Sequence, residues 1–184
     1  APLRRQLAEL ACQAGTSPVS GEVELRSWDG AIHVGDFTYR TSAGAFFQAN
    51  TAVAELLLDG VLAALAPCGG EHVLDLYCGV GLFTVPVGQR VAQIVGVESN
   101  STAADDAVRN LAAAGVPGRI LNQDVADALR SPELTGQAWD AIILDPPRTG
   151  VDAPALEALI ALGAARILYI SCEPSTLARD LRSL

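Results

Sequence analysis

The sequence predicts an α/β fold built on a mostly parallel β-sheet, preceded by a small antiparallel β ribbon. From residue 71 onward, short runs of β-branched and aliphatic residues alternate with segments whose apolar residues recur every three or four positions. The short runs are apolar throughout, which is typical of parallel strands buried on both faces. Helices are therefore expected to cover both sides of the sheet.

The ribbon is predicted within residues 1–41, as a region separate from the sheet. Residues 21–42 alternate apolar and polar side chains around Asp29-Gly30 and Gly35-Asp36, two dipeptides that favour tight hairpin turns. A short amphipathic helix is predicted before the ribbon, over residues 2–14.

A helix of about four turns is predicted next, because the apolar residues from 53 to 65 recur at threes and fours. Asn50 or Thr51 is placed to cap its start, and Pro67–Gly70 to end it. Residues 130–139 contain proline, serine and glycine and are interpreted as a surface loop. The strands of the sheet are predicted over residues 73–77, 93–98, 118–122, 140–145 and 166–171, and its helices over residues 82–89, 101–114, 153–163 and 174–183.

Length and composition predict one soluble domain with a single sizeable core. The chain has 184 residues, of which 50% are hydrophobic. No apolar run reaches the roughly 18 residues that a membrane span needs, and the first ten residues lack the apolar core of a signal peptide. We therefore expect a cytoplasmic monomer that does not bind membranes.

The cysteine and charge content argue against a metal centre, a disulfide framework and a free-standing nucleic-acid binder. The cysteines are scattered, no CxxC pair occurs, and the chain has only 2 histidines. A net charge of -9 leaves few cations for phosphate contacts. The cysteines are Cys12, Cys68, Cys78 and Cys172.

Polar or conformationally special residues follow every predicted strand of the sheet. In parallel sheets, ligands bind beyond the carboxyl ends of the strands, so these residues are the candidates for a functional site. In chain order they are Tyr77-Cys78-Gly79-Val80-Gly81, Glu98-Ser99-Asn100, Gln123-Asp124, Asp145-Pro146-Pro147-Arg148 and Ser171-Cys172-Glu173-Pro174.

The first two of these strand ends fit an adenosine cofactor. Gly79 and Gly81 allow the backbone to approach a ligand closely, and a carboxylate at Glu98 can accept both ribose hydroxyls. A dehydrogenase would place a small residue where Thr84 stands, and Phe83 lies where a pyrophosphate needs room. S-adenosylmethionine has no pyrophosphate and is favoured over NAD, although a dehydrogenase or a non-catalytic nucleotide binder stays open.

The last two strand ends suggest the chemistry. The prolines after Asp145 stiffen the backbone and could form a rigid surface that binds a planar base. Alternatively, they form an ordinary turn beside a helix-capping aspartate. Cys172 follows an aliphatic strand and precedes Pro174, which suits the first turn of a helix. An isolated cysteine is most often an inert core residue, but a thiol beside a helix N-terminus has its thiolate favoured. We therefore predict a nucleophile, which the charge of Glu173 opposes.

Taken together, these segments resemble the catalytic domain of the RNA uracil-5 methyltransferases, which make 5-methyluridine in tRNA and 23S ribosomal RNA. The resemblance implies a Rossmann-like class I S-adenosylmethionine-dependent methyltransferase fold for residues 42–184, with S-adenosylmethionine as cofactor and RNA as partner. It is carried, in the family's order, by SAGAFFQAN (42–50), LDLYCGVGLFT (74–84), LDPPRTG (144–150) and SCEPSTLARDL (171–181).

The resemblance also implies roles for single residues. Cys172 would be the nucleophile that adds to C6 of the target uracil, and Arg179 and Asp180 would be structural. Phe46 and Phe47 are similar to an aromatic pair beside the family's site, although a role in the core is equally open to them. Contacts with the cofactor or the base are implied for Gln48, Tyr77, Gly79, Gly81, Leu82, Glu98, Asp124 and Asp145, and contacts with the substrate for Phe46, Phe47, Asp145, Pro146 and Arg148.

The chain departs from the family pattern at three places. Glu173 stands where the family has asparagine, and residues 1–41 resemble only part of the family's N-terminal and central regions. The family's general base is a glutamate in a later segment, expected beyond Leu184 together with the last strands of a seven-stranded sheet. We therefore expect a chain shortened at both ends that binds cofactor but turns over poorly. A catalytically silent binding domain and an NAD-dependent oxidoreductase are the alternatives.

Overall fold

Two separate β-sheets organise the part of the chain that the computed structural model describes, residues 30–48 and 50–184. One is a two-stranded antiparallel sheet and the other has five strands, all parallel. The predicted fold class, a mostly parallel sheet with a small antiparallel ribbon, is therefore confirmed. The helix predicted over residues 2–14 lies outside the described residues.

The ribbon pairs β1 (Gly30–Val34) with β2 (Phe37–Thr41) in antiparallel register. Its turn is Gly35-Asp36, as predicted, and Gly35 adopts a φ of 54° that glycine accepts without strain. Tyr39 on β2 is completely buried, which fastens the ribbon to the rest of the protein.

The strands of the large sheet are short and apolar. The central strand is β3 (His72–Leu76), and β6 (Ala141–Leu144) lies beside it. Chain order runs outward from these two strands in opposite directions, giving the spatial order β5-β4-β3-β6-β7. The boundary between β3 and β6 is therefore the topological switch point, where open α/β sheets bind ligands. The other strands are β4 (Gln93–Glu98), β5 (Arg119–Asn122) and β7 (Ile167–Tyr169).

The helices begin at residues that satisfy their first backbone N–H groups. Asn50 caps α1, with its side chain accepting hydrogen bonds from the N–H groups of Ala52 and Val53, as the sequence predicted. The helices are α1 (Thr51–Leu65), α2 (Thr84–Gly88), α3 (Ser101–Ala113), α4 (Val125–Arg130), α5 (Pro132–Thr135), α6 (Ala153–Leu162) and α7 (Pro174–Asp180).

The surface loop predicted over residues 130–139 was wrong, because that stretch contains α5 and follows α4. Pro132 starts α5, a position where its missing N–H costs nothing. Leu134 and Trp139 are buried, and the indole N–H of Trp139 donates to the carbonyl of Leu134 over 2.9 Å. Burial of these two side chains organises a segment whose local sequence signals only turns.

Hydrophobic clusters cover both faces of the large sheet, as fully apolar strands require. Along β3, Leu74 and Leu76 join the cluster under α4 and α6, whereas Val73 joins the cluster under α1, α2 and the ribbon. In the described residues no helix combines the length and the apolar character that a bilayer span demands.

Backbone hydrogen bonds continue past the strands and fix the segments that follow them. The N–H of Cys78 donates to Val97, that of Asp145 to Leu76 over 3.4 Å, and that of Ile170 to Leu144 over 2.7 Å. The segments that leave β3, β6 and β7 are thus each tied to the neighbouring strand at the carboxyl edge, where the candidate site lies.

Candidate active site

A glycine loop leaves β3 and forms the centre of the candidate site. Gly79 and Gly81 have φ values of 55° and 92°, and Tyr77 before them has a φ of 61°. Such a conformation is uncommon for a tyrosine and is maintained only where the surroundings impose it. The N–H of Gly79 donates over 2.9 Å to Glu98, so the loop is held against the end of β4.

Glu98 holds two loops together. Its Oε2 accepts from Gly79 and its Oε1 accepts over 2.7 Å from the N–H of Asn100, just before α3. Asn122 at the end of β5 supports this arrangement, because its amide donates to the carbonyls of Glu98 and Ser99 over 2.8 and 3.1 Å. A carboxylate has about four acceptor positions, so Glu98 can still accept hydrogen bonds from a vicinal diol.

Asp75 is a carboxyl group inside the sheet, and the sequence analysis missed it. It is 0% exposed, its Oδ2 accepts over 2.5 Å from the hydroxyl of Thr84, and its Oδ1 has no partner among the described residues. Burial raises the pKa of Asp75 to about 7; the hydrogen bond from Thr84 opposes this rise, and the charges of Asp145 and Glu98 add to it. An aspartate within an otherwise apolar run was the signal that could have identified it.

The segment after β6 presents a narrow polar surface beside the glycine loop. Asp145 is half-buried, and burial raises its pKa to about 6. Pro146 is buried, whereas Pro147 and Arg148 are exposed. In the surface predicted to bind a planar base, Pro147 and Arg148 are therefore the side chains that a large substrate can reach.

Two neighbouring residues of α7, the exposed Arg179 and the buried Asp180, fasten this segment to the helix. Asp180 is 0% exposed and accepts over 2.8 Å from the N–H of Val151 and over 2.6 Å from the hydroxyl of Tyr169. Arg179 donates to Asp180 through Nε over 2.8 Å and to the carbonyl of Thr149 through Nη2 over 2.9 Å. These bonds support the structural role predicted for Arg179 and Asp180.

Cys172 lies at the start of that fastened region. It is exposed and follows β7, and the next residue, Glu173, caps α7. The carboxylate of Glu173 accepts from the hydroxyl of Ser175 over 2.8 Å, and this hydrogen bond lowers the pKa of Glu173. In the sheet, β7 lies next to β6, the strand that leads to Asp145, and three positions from β4, the strand that ends at Glu98. Because neighbouring strands are about 4.8 Å apart, β7 and β4 are separated by about 14 Å.

The remaining predicted residues divide between site and scaffold. Asp124 caps α4, because its Oδ1 accepts from Ala126 over 2.9 Å. Phe47 lies 5.7 Å from the ring of Tyr39, which favours a role in the core, whereas Phe46 is 76% exposed. Gln48 is half-buried and Leu82 is buried.

Three thiols occur in the described residues, and they differ in accessibility. Cys68 and Cys172 are exposed, and Cys78 is buried behind the glycine loop, where burial raises its pKa well above the ordinary value. Cys12 lies outside the described residues. In residues 30–48 and 50–184, no cluster of three or more histidine, cysteine or acidic side chains could hold a metal ion.

Comparison with known proteins relates this geometry to one family. Residues 29–184 match the model of a family described as tRNA (uracil-5-)-methyltransferase. The 23S rRNA (uracil(1939)-C(5))-methyltransferase of Pseudomonas aeruginosa is 41% identical over 138 residues, 74% of this chain and 30% of that protein. An uncharacterised RNA methyltransferase of Streptomyces coelicolor is 42% identical over 149 residues, 79% of this chain and 32% of that protein. The chain thus spans about a third of the length of these relatives.

A solved structure extends the comparison to three dimensions. The Pyrococcus abyssi tRNA (uracil-54, C5)-methyltransferase, in complex with S-adenosyl-L-homocysteine, superposes with a TM-score of 0.73 at 31% identity. The match covers 92% of this chain and 42% of that chain. It confirms the Rossmann-like methyltransferase fold that the sequence predicted.

We expect Gly150→Ala to loosen the segment after β6. Gly150 has a φ of 77°, and an added Cβ would lie 2.5 Å from both Arg179 Nη2 and Asp180 Oδ2. Backbone strain alone should lower the free energy of unfolding by about 1–3 kcal/mol, measured by urea denaturation. The matched control is Gly60→Ala, an exposed position inside α1 with open space around it, which should not destabilise the protein. Equal stability of the two variants would contradict the expectation.

The raised pKa of Asp75 predicts how the free energy of unfolding depends on pH. The folded chain keeps this proton up to about pH 7, whereas an unfolded aspartate releases it near a pKa of 3.8. The folded state therefore binds more protons between these values, and the free energy of unfolding falls as pH rises through them. Asp75→Asn removes this contribution, so the stability of the wild type relative to Asp75→Asn should decrease from pH 5 to pH 7, as measured by urea denaturation at each pH. Parallel stability curves would show that Asp75 is already ionised at pH 5.

Proposed function

This chain belongs to the tRNA (uracil-5-)-methyltransferase family, and from that premise we propose that it acts in the methylation of C5 of a uridine in RNA by S-adenosylmethionine. Membership confirms the resemblance found in the sequence. The observation that carries the proposal is the order of groups along one sheet edge, where Glu98, the glycine loop, Asp145 and Cys172 follow four successive strands. Residues 42–184 would form the catalytic domain.

The carboxyl edge suits a cationic cofactor. Glu98 and Asp145 bring two carboxylates to this edge, close enough for both charges to raise the pKa of the buried Asp75. Opposite charges attract across such distances and like charges repel. The edge therefore favours the sulfonium of S-adenosylmethionine and disfavours the pyrophosphate of NAD. The bound S-adenosyl-L-homocysteine of the Pyrococcus abyssi relative supports the same assignment.

The residues present fit this cofactor. The glycine loop has no side chain at Gly79 or Gly81 to keep a ligand from the backbone, and Glu98 beside it can accept from ribose hydroxyls. We assign the cofactor to residues of the loop and its neighbouring strand ends. They are Gln48, Tyr77, Gly79, Gly81, Leu82, Glu98, Asp124 and Asp145.

Cys172 would supply the nucleophile. Uracil C5 attacks carbon electrophiles weakly, so the thiolate first adds to C6 and moves the electron pair of the C5–C6 double bond toward C5 and O4. When bound, S-adenosylmethionine supplies an electrophilic methyl group, which C5 takes. A base then removes the proton from C5, the bond from sulfur to C6 breaks, and the thiolate of Cys172 returns.

The substrate must meet this edge as an unstacked base. The thiol has to reach C6 and the methyl donor C5, and neighbouring bases in a helix would cover the faces of the ring. Arg148, exposed beside Asp145 and Pro146, would contact the RNA, and hydrogen-bond donors near it would stabilise charge on O4. Phe46, which is highly exposed, would stack on the substrate, with Phe47 behind it. In the family that the sequence resembles, the proton-removing base is a glutamate in a later segment.

Calorimetric titration tests the cofactor assignment. We expect the chain to bind S-adenosylmethionine and not NAD, and Glu98→Ala to weaken that binding at least about tenfold, because it removes a charged acceptor. The control is Glu157→Ala, an exposed glutamate on α6 far from the loop, which should keep the wild-type affinity. Binding of NAD in place of S-adenosylmethionine would refute the proposal.

A 5-fluorouridine RNA tests the nucleophile without needing the base. Fluorine at C5 leaves no proton to remove, so the methylated adduct should persist as a covalent complex that migrates slowly in denaturing gels. We expect Cys172→Ser to abolish the complex and Cys68→Ser, which changes another exposed thiol, to retain it. Capture that survives Cys172→Ser would refute this role, and cofactor binding with no capture would favour a catalytically silent domain.

A further inference from the structure

We propose that Asn110 is a positioning residue for the glycine loop, and that through it the β1–β2 ribbon becomes part of the cofactor site. The inference rests on the proposed function, because it takes residues 78–83 as the segment that contacts S-adenosylmethionine. Asn110 lies on α3 and is only 3% exposed, yet the hydrogen bonds of its side chain all reach backbone groups of other segments. It thus acts on the site through the loop.

The peptide group between Val80 and Gly81 is the part of the loop that can rotate most freely. Val80 stands between Gly79 and Gly81, whose φ values of 55° and 92° lie in a region that glycine enters and leaves at little cost. The planar peptide cannot adjust internally, so its orientation is set by what its carbonyl and N–H bind. The N–H of the Val80–Gly81 peptide donates to the carbonyl of Cys78 within the loop. A donor to its carbonyl from outside the loop adds a second constraint on the same orientation.

Most carbonyls of the loop find donors close by in the chain. These local bonds leave the carbonyls of Val80 and Leu82, which flank Gly81, for donors from elsewhere in the fold. The local donors are Gly81 N to Cys78 O (2.9 Å), the Cys78 thiol to Gly79 O (3.8 Å), Val85 N to Gly81 O (3.1 Å) and Val87 N to Phe83 O (3.0 Å).

Asn110 supplies the donor for Val80. Its Nδ2 donates over 2.9 Å to the carbonyl of Val80 and over 3.0 Å to the carbonyl of Arg40 on β2, and its Oδ1 accepts over 2.8 Å from the N–H of Arg40. One buried amide therefore joins the ribbon, α3 and the loop, with both of its N–H groups and its oxygen engaged. A buried group satisfied in this way holds its partners in a single arrangement.

Tyr39, the neighbour of Arg40 on β2, supplies the second donor. Its hydroxyl donates over 2.9 Å to the carbonyl of Leu82, and the whole side chain is buried. Burial raises the pKa of this hydroxyl, with the charge of Asp75 adding to the rise, so it stays a donor at physiological pH. Tyr39 thus bonds the carbonyl of Leu82 directly, and its neighbour Arg40 is connected to the carbonyl of Val80 through Asn110.

A third contact binds the ribbon to α3 without touching the loop. Ser42 donates to Asp106 through its N–H over 2.5 Å and through its hydroxyl over 2.9 Å. This contact separates two explanations of any effect at Asn110. If the ribbon only stabilises the fold, loss of the Ser42 contact should affect cofactor binding as much as loss of the Asn110 contact. If Asn110 positions the loop, the change at Asn110 should weaken cofactor binding and the change at Ser42 should not.

Titration with S-adenosylmethionine, well below the thermal midpoint of each variant, tests the inference. Asn110→Asp keeps the acceptor for the Arg40 N–H but removes the donor to the carbonyls of Val80 and Arg40, so we expect the dissociation constant to rise at least about tenfold. Tyr39→Phe, which removes only the donor to Leu82, should raise it by about threefold or more. Ser42→Ala should change it by less than about twofold, even where it lowers the midpoint as much.

The outcomes separate this inference from the function on which it rests. If the wild type does not bind S-adenosylmethionine, the proposed function fails and the inference fails with it. If the wild type binds and Asn110→Asp binds equally well, or Ser42→Ala weakens binding as strongly, the inference alone is overturned. Should Asn110→Asp not fold, Tyr39→Phe decides, and an unchanged dissociation constant in that folded variant overturns the inference.

Discussion

The parallel pairing of β3 with both β4 and β6 is the constraint on which the site depends. Chain order reverses between β3 and β6, and in open α/β sheets ligands bind at the carboxyl edge beside such a switch point. Register places Leu76 beside both Val97 and Leu144, which brings the glycine loop, Glu98 and Asp145 into line. The proposed cofactor contacts of the glycine loop, Glu98 and Asp145 derive from that alignment.

The buried carboxyl group of Asp75 near this edge lowers the stability of the fold. Asp75 occupies a position inside the sheet that hydrophobic strands normally fill, with one of its oxygens unpartnered among the described residues. A buried carboxyl group without full hydrogen bonding disfavours its charged form, and the raised pKa of Asp75 reflects this. Strongly raised pKa values of buried groups cluster at functional sites, and Asp75 lies directly behind the candidate site.

Two buried polar groups stabilise the site from its two sides. Asn110 ties the loop after β3 to the ribbon, and Asp180 ties the segment after β6 to the helix that follows Cys172. Both side chains are almost or fully buried, and both bind backbone groups far away in the sequence. Because such groups lose much free energy when any partner is lost, they specify one geometry for loops that glycine and proline alone would leave variable.

What the sequence by itself determined is the part of the protein that obeys local rules. The apolar strands, the cap of α1 at Asn50 and the start of α7 at Pro174 all follow from the periodicity and conformational preferences of adjacent residues. The residues at the strand ends were also predictable, because a parallel sheet brings them to one edge whatever the order of its strands. Family resemblance added roles for them that periodicity could not supply.

The tertiary structure alone decided which distant groups meet. Nothing near Asn110 in the sequence indicates that its amide reaches Val80 and Arg40, which lie 30 and 70 positions away. The helix α5 was missed for the same reason, since burial of Leu134 and Trp139 against the core outweighs the turn signals around them. Local propensity is worth fractions of a kcal/mol per residue, about 0–1, whereas burial and buried hydrogen bonds are worth more and depend on partners that only the folded chain brings together.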